Sequence, residues 1–221
     1  MRMASAAPPR TRLAREDRME QTLTVARSLF AEHGYASVTM EMVAAKVGVT
    51  KPLLYNYFGN KEHLYIACME RAGDALSATI AGAVATTTTP EQALEAGVRS
   101  FFAFLDSDRA AWAVLFDETL PRGGEVAERV AEYRGRILEM VSTAMLEQLP
   151  PRRQRAAQIE VEALSEAVLG AAEALARWWL RTEAVSAQEA AELLISTLEP
   201  GLRLRTAPLD RSKPKEKGDR S

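Results

Sequence analysis

The sequence of 221 residues predicts an all-α fold of about nine helices, and three observations carry that expectation. Apolar residues recur three and four positions apart through most of the chain, the period of a helix with one buried face. No stretch shows the alternation of a half-buried strand. Breakers fall at helix-length intervals: Gly34, Gly48, Gly59, Pro90, the PRGG of 121–124 and the pair Pro150-Pro151.

Residues 1–17 hold Pro8-Pro9 and several arginines but no apolar period, and read as a mobile basic arm. Met19, Leu23, Ala26 and Phe30 then repeat along one face until His33-Gly34, where glycine can adopt the left-handed conformation that ends a helix. Thr39 caps a short helix, MEMVAAKV, whose Glu41 complements the dipole. Thr50 caps another, KPLLYNYF, and Pro52 in its first turn gives up no needed hydrogen bond. Asn60 caps a long helix running from Lys61 to about Ala85. Leu94, Val98, Phe101 and Leu105 form the next seam, and Asp108 caps a short helix holding Trp112, Leu115 and Phe116. A long helix follows and stops at Leu149 before the proline pair. Two more span about 152–183 and 187–204, the second capped by Ser186. The tail, 207–221, is polar, lacks apolar period and is predicted to be disordered. The division is therefore an arm (1–17), a compact group of short helices (18–65), a helical body (66–206) and the tail.

A hydrophobic share of 47% with 26% charged residues excludes a largely disordered chain. No apolar run approaches the roughly 18 residues of a membrane span, and the N-terminal residues lack the apolar core of a signal peptide. A single cysteine, Cys68, excludes an internal disulfide framework and points to a reducing cytoplasm. With only two histidines beside it, an all-protein Cys/His zinc site is not expected, nor is any cofactor. The formal charge of −2 hides an asymmetry: residues 1–65 carry nine basic and six acidic residues, whereas 66–207 carry 14 and 21. A basic segment on an acidic body is the distribution expected when one module meets a polyanion, although so small an excess also fits ordinary surface variation.

Two short helices joined at a glycine form a helix-turn-helix, the arrangement that enters a DNA major groove. Ala44 is small enough for a crossing helix, Gly48 permits the turn, and Val47, Val49 and Leu54 make a shared core. Thr50, Lys51, Pro52, Leu53, Tyr55, Asn56 and Tyr57 are left as candidates to face outward, a set rich in phosphate and base-edge partners.

Residues 29–65, LFAEHGYASVTMEMVAAKVGVTKPLLYNYFGNKEHLY, resemble the tetracycline-repressor (TetR/AcrR) family of bacterial transcriptional regulators. The composite F-x-x-x-G-Y-x-x-x-T, A-x-x-V-G-V-T and L-Y-x-Y-F-x-N-K-E-x-L carries the resemblance; beyond it the likeness is one of helix layout. The resemblance implies that Thr39 bonds a backbone phosphate and that Thr50 and Lys51 open the recognition helix. It places Pro52 and Leu53 where a thymine methyl can be touched. Tyr55, Tyr57 and Asn56 would meet phosphates or, for Asn56, a base edge, and Lys61 a further phosphate at the start of the fourth helix. Histidine is common at position 57 in the family; tyrosine is a familiar variant. As amphipathic aromatics, Tyr55 and Tyr57 could alternatively belong to the core. Arg10, Arg12, Arg15 and Arg18 either add contacts to the minor groove or form a solvated tail.

The helix from 152 carries two apolar seams. Leu164, Val168, Ala171, Leu175 and Trp178 form one, and Ala163, Ala167, Gly170 and Ala174 the other, more than one neighbour can cover. The last helix repeats the demand with Ala190, Leu194, Leu198 and Leu202. In the resembling family the last two helices pair with their symmetry mates, so Leu164, Ala167, Val168, Gly170, Ala171, Ala174, Leu175, Leu194 and Leu198 are the expected homodimer interface. The family also binds a small effector in its body, and the aromatic-rich stretch makes Phe102, Trp112, Phe116 and Trp178 the expected pocket lining. The segment FFAFLDSDRAAWAVLFDE looks like a branch of actinobacterial regulators that includes sensors of fatty-acyl compounds.

The expected protein is thus a homodimeric, cytoplasmic repressor released from a palindromic double-stranded DNA operator by an apolar small molecule. No nucleophile motif, phosphate loop, dinucleotide fingerprint or metal-ligand spacing favours an enzyme. A ligand-independent DNA binder is the first alternative, followed by a redox sensor acting through Cys68 or a small helical enzyme.

Overall fold

The computed structural model describes residues 10–206, apart from 117–119, 121–122, 148 and 183. The described residues form nine α-helices and no strand: α1 (Arg10–Ser37), α2 (Met40–Val47), α3 (Lys51–Phe58), α4 (Lys61–Val84), α5 (Pro90–Ser107), α6 (Arg109–Leu115), α7 (Glu125–Glu147), α8 (Pro151–Thr182) and α9 (Ala187–Thr206). One expectation shifts at the start. Helix α1 begins at Arg10, inside the segment read as a mobile arm, because RTRLARED is built from good helix formers even without an apolar period. Residues 1–9 of that arm and the tail 207–221 lie outside the described residues.

Capping chemistry sets the other boundaries. Gly34 breaks the helical path with φ 74° and ψ 160°, turning the chain toward the buried Val38. Thr39 accepts a hydrogen bond from the Met42 amide at 3.2 Å, Asn60 from His63 at 2.7 Å, and Asp108 from Ala111 at 3.1 Å. Ser186 and Glu189 bond each other's amides reciprocally, a capping box that starts α9.

Helix α4 is the shared wall of the molecule. Its first turns close the core of the head, where Phe30, Tyr35, Val43, Leu54, Phe58 and Leu64 are buried. Tyr65 meets Phe30 and Tyr35 edge-on, both with ring centroids at 5.0 Å, and its hydroxyl donates to the Val114 carbonyl of α6 at 2.6 Å. Arg27 of α1 donates to Asp108, between α5 and α6, at 2.7 Å. The rest of α4 packs on α5 and α7, α5 packs on α9, and α7 packs on α8. Among the described residues no helix is long and apolar enough to cross a membrane.

Candidate DNA-binding face and effector cavity

The turn between α2 and α3 depends on Gly48, at φ 78°, whose amide closes α2 on the Ala44 carbonyl at 3.0 Å. Leu54 and Phe58 then point α3 into the head core, which leaves Thr50, Lys51, Pro52, Tyr55 and Asn56 exposed and Leu53 and Tyr57 half-buried. Tyr55, at 41% exposure, is free to present its hydroxyl; Tyr57 lies edge-on against Phe58, with Arg15 of α1 over its ring at 5.6 Å. Thr39 is exposed, and because its oxygen accepts the capping bond its O–H remains able to donate.

Two lysines are committed within the chain. Lys51 pairs with Glu41 of α2 and lies over the Tyr55 ring at 5.7 Å. That hydrogen bond holds the Glu41 carboxyl below its ordinary range and raises the Lys51 ammonium. Lys61 donates to the Tyr35 carbonyl at 3.0 Å and the Ala36 carbonyl at 3.4 Å, and its ammonium sits 4.3 Å from the Tyr35 ring centroid. Lys61 therefore ties α4 to the end of α1, a role that spacing in the sequence does not reveal.

A partly open cavity of about 720 Å³ lies between α4, α5, α7 and α8. Ile80 and Val84, Leu94 and Phe101, Ile137 and Met140, and Val161 and Leu164 supply apolar wall from the four helices in turn. Arg136 and Arg153 are its basic groups and Glu91, Glu139, Glu147 and Glu160 its acidic ones.

The four aromatic residues expected to line an effector pocket lie elsewhere. Phe102 is fully buried, edge-on to Trp179 at 5.7 Å, in the core under α8. Trp112 and Phe116 stack at 4.0 Å and border a smaller open cleft of about 370 Å³, with Phe30, Arg177 and Arg181. Trp178 is half-buried and packs against the core; its neighbour Trp179 fills the interior and donates to the Val185 carbonyl at 2.9 Å. These four aromatics serve the core and the smaller cleft, and the large cavity is walled mainly by aliphatic and methionine side chains of α4, α5, α7 and α8, with Phe101 the aromatic among its lining residues. The signal available in the sequence was the apolar stripe Ile137, Met140, Val141 and Ala144 on α7.

The expected dimer residues also divide. Leu164 and Val168 face the cavity, Leu194 is buried under α5 within the protomer, and Ala171, Leu175 and Leu198 pack against the core. Ala167 and Ala174 are exposed and Gly170 half-exposed, on one stripe with Ala163 and with Ile159 at 83% exposure. Among the described side chains of α9, Leu193 is a large apolar one that is exposed, at 48%, one residue before the expected Leu194. A shift of one residue turns a helix by about 100°, so the two seams on α8 serve two different surfaces.

Cys68 is buried, its thiol is pushed up to about 12 by burial, and Sγ lies 3.6 Å from the Leu23 carbonyl. It lacks the exposed thiolate that a redox sensor needs.

A helix-turn-helix carried on an all-helical body with an apolar cavity is an architecture suited to a DNA-binding transcriptional regulator. Residues 23–68 match the description "Bacterial regulatory proteins, tetR family", and residues 90–199 match "Tetracyclin repressor-like, C-terminal domain". The chain belongs to the tetR family, and its relatives are regulators, not enzymes. It is 35% identical over 119 residues to the HTH-type transcriptional activator FasR of Mycolicibacterium smegmatis, covering 54% of each chain. The regulator HbdR of Aromatoleum is 28% identical over 104 residues, covering 47% of this chain and 45% of that one. The chain thus spans about half the length of these curated relatives. Among solved structures, a TetR-like regulator from Rhodococcus sp. RHA1 superposes with a TM-score of 0.69 at 28% identity, covering 89% of this chain and 99% of that one. FadR from Bacillus subtilis, solved with stearoyl-CoA, shares the fold at 18% identity and a TM-score of 0.67, covering 80% and 97% of the two chains. AibR, solved with isovaleryl coenzyme A and operator DNA, does so at 21% and 0.66, covering 83% and 98%.

Proposed function

We propose that this regulator is a homodimeric repressor that leaves a palindromic operator when an elongated apolar molecule, of the acyl-thioester class, enters the cavity between α4, α5, α7 and α8. The observation that carries this reading is the cavity itself: about 720 Å³, walled by aliphatic side chains, and bounded by the same α4 whose first turn holds the helix-turn-helix. A flexible alkyl chain fits such walls, and the acyl thioesters bound by FadR and AibR support the same class. The exposed stripe Ile159, Ala163, Ala167, Gly170 and Ala174, with Leu193 of α9, is the surface on which a second copy packs. Two recognition helices about 34–36 Å apart then meet successive major grooves. Thr39, Thr50, Lys51, Tyr55, Asn56 and Tyr57 hold phosphates and base edges, with Pro52 and Leu53 against thymine methyls. Lys61 contributes to the phosphate field from behind the α1–α2 turn.

The test starts with mass spectrometry of small molecules released from the denatured protein, and with binding of hexadecanoyl-CoA to the full chain. Ala144→Trp, which fills the cavity, is expected to weaken that binding at least about tenfold, the loss of about 1.4 kcal/mol. Operator binding, on DNA flanking the gene, is expected to fall steeply with salt as phosphate counterions are released. An affinity insensitive to salt, or equal binding of hexadecanoyl-CoA by Ala144→Trp, overturns the assignment. FasR is an activator, so reporter expression with and without the acyl probe decides the sign of control.

A further inference from the structure

We propose that Tyr133 is the positioning residue through which α4 reads the state of the cavity; this rests on the effector reading above. Tyr133 lies on α7, is 5% exposed, and lines no part of the cavity. Its ring sits in a notch of α4 that only glycine provides. A Cβ on Gly73 would come within 2.1 Å of Cζ and 2.3 Å of the phenolic oxygen. One turn further along α4, Ser77 Oγ and the Tyr133 hydroxyl are 2.9 Å apart in a hydrogen bond. Ring and hydroxyl together fix α7 to α4 at one register.

The same tyrosine touches the cavity through its neighbour. Arg136, three residues on, lines the cavity and holds its guanidinium 4.9 Å from the Tyr133 ring centroid. Its guanidinium is the basic group that α7 contributes to the cavity lining. Ile137 beside it lines the cavity, as do Ile80, Ala81 and Val84, which follow Ser77 on α4. A molecule that occupies this space displaces Arg136 and Ile137, and with them the turn of α7 that carries Tyr133. Packed interiors transmit such a shift because they hold few voids to absorb it. The Gly73 notch leaves the ring no room to slide, so α4 moves with it.

The movement has a direct route to the reading head. At the start of α4, Lys61 is bonded to the end of α1, Asn60 caps the helix, and His63 Nε2 meets Glu125 Oε2 of α7 at 3.1 Å. Helices α4 and α7 are therefore fastened twice, near the head by His63 and Glu125 and in the middle by Gly73, Ser77 and Tyr133. The first contact is an exposed pair; the second is buried and shape-determined.

The test compares the full-length wild type with Tyr133→Leu and Tyr133→Met, each of which takes the ring out of the Gly73 notch and removes the hydroxyl contact, and neither of which replaces a residue of the cavity wall. Hexadecanoyl-CoA affinity is measured by titration calorimetry, and operator affinity by fluorescence anisotropy with and without that probe. In the wild type the probe is expected to change operator affinity by about tenfold or more. In both variants the probe still binds within about twofold of wild type, while its effect on operator affinity shrinks to under about threefold. Circular dichroism identifies a variant that fails to fold, and the other then carries the comparison. Variants that respond as the wild type does, or whose response falls only in step with probe affinity, overturn the proposal. A wild type that binds no alkyl probe, or binds it without any change in operator affinity, overturns the function proposed above and this coupling with it.

Discussion

The head and the body of this chain solve opposite packing problems. In the head, α1, α2 and α3 close on the first turns of α4 around side chains such as Val43 and Leu54 that are fully buried, and Lys51, Tyr55 and Asn56 of α3 are turned outward. In the body, the long helices α4, α5, α7 and α8 leave about 720 Å³ between them. A reading surface needs its side chains held at fixed spacing, which dense packing supplies. A sensing surface needs space and a wall able to shift, and lower local stability is the cost of both. Asp108 lies where the two regimes meet: one oxygen caps α6 and the other accepts from Arg27 of the head.

The sharpest way to break this contrast is to cut the same side chain in both regions. Leu54→Ala opens a cavity in the head and is expected to cost about 2–5 kcal/mol, together with operator binding. Leu164→Ala, whose side chain already borders a void, is expected to cost less than half as much; urea denaturation measures both. Equal losses would show that the body is packed as tightly as the head.

The junction comes next. Asp108→Ala removes both a cap and an ion pair and is expected to destabilise by about 2 kcal/mol, against about 1 kcal/mol for Arg27→Ala, which removes the pair alone. Both side chains are 25% exposed, so solvent already screens part of the charge. Thermal unfolding of the two variants gives the order.

A third test uses pH. Burial raises the Cys68 thiol from 9.0 to about 12. The folded state then holds this proton more tightly than the unfolded one. Its contribution is complete below pH 9.0 and is lost as pH rises toward about 12, at roughly 1.4 kcal/mol per pH unit. Burial raises Tyr35 and Tyr133 as well, which adds loss in the same direction at higher pH. Urea midpoints at pH 8 and pH 10 are expected to diverge in the wild type and to diverge less in Cys68→Ser.

The smallest expected effect lies on the reading face. Glu41 holds Lys51 in the free protein, so Lys51 must change partners to reach a phosphate. Glu41→Gln removes that competitor and a negative charge near DNA, and operator affinity is expected to rise by less than about tenfold at low salt. Unchanged affinity would place Lys51 away from the phosphates.

How far the sequence reaches differs between the same two regions. Thr39, Gly48, Asn60, Asp108 and Ser186 act through neighbours within a few residues, so their spacing alone announces caps and turns, and the outward residues of α3 follow from the period. Lys61 was legible as a lysine at a helix start, but its bonds to Tyr35 and Ala36 cross 26 and 25 residues of chain and leave no local trace. Helix α1 starts earlier than the apolar period indicates, because a helix can form without a buried face. Arg10 to Asp17 need only propensity.

By itself the sequence determined the helical class, the caps and turns between most of its elements, and the outward placement of Thr50, Lys51, Pro52, Tyr55 and Asn56, since each depends on propensity, capping and a 3.6-residue period that act locally. Only the tertiary structure decided which apolar seam of α8 faces the cavity and which faces outward, that Trp179 rather than Trp178 fills the core, and that Tyr133 rests on Gly73. These outcomes depend on the rotation of one helix against another. A single-residue step swings a side chain by about 100° from one neighbour to the next, and no spacing along one helix states where its neighbours stand.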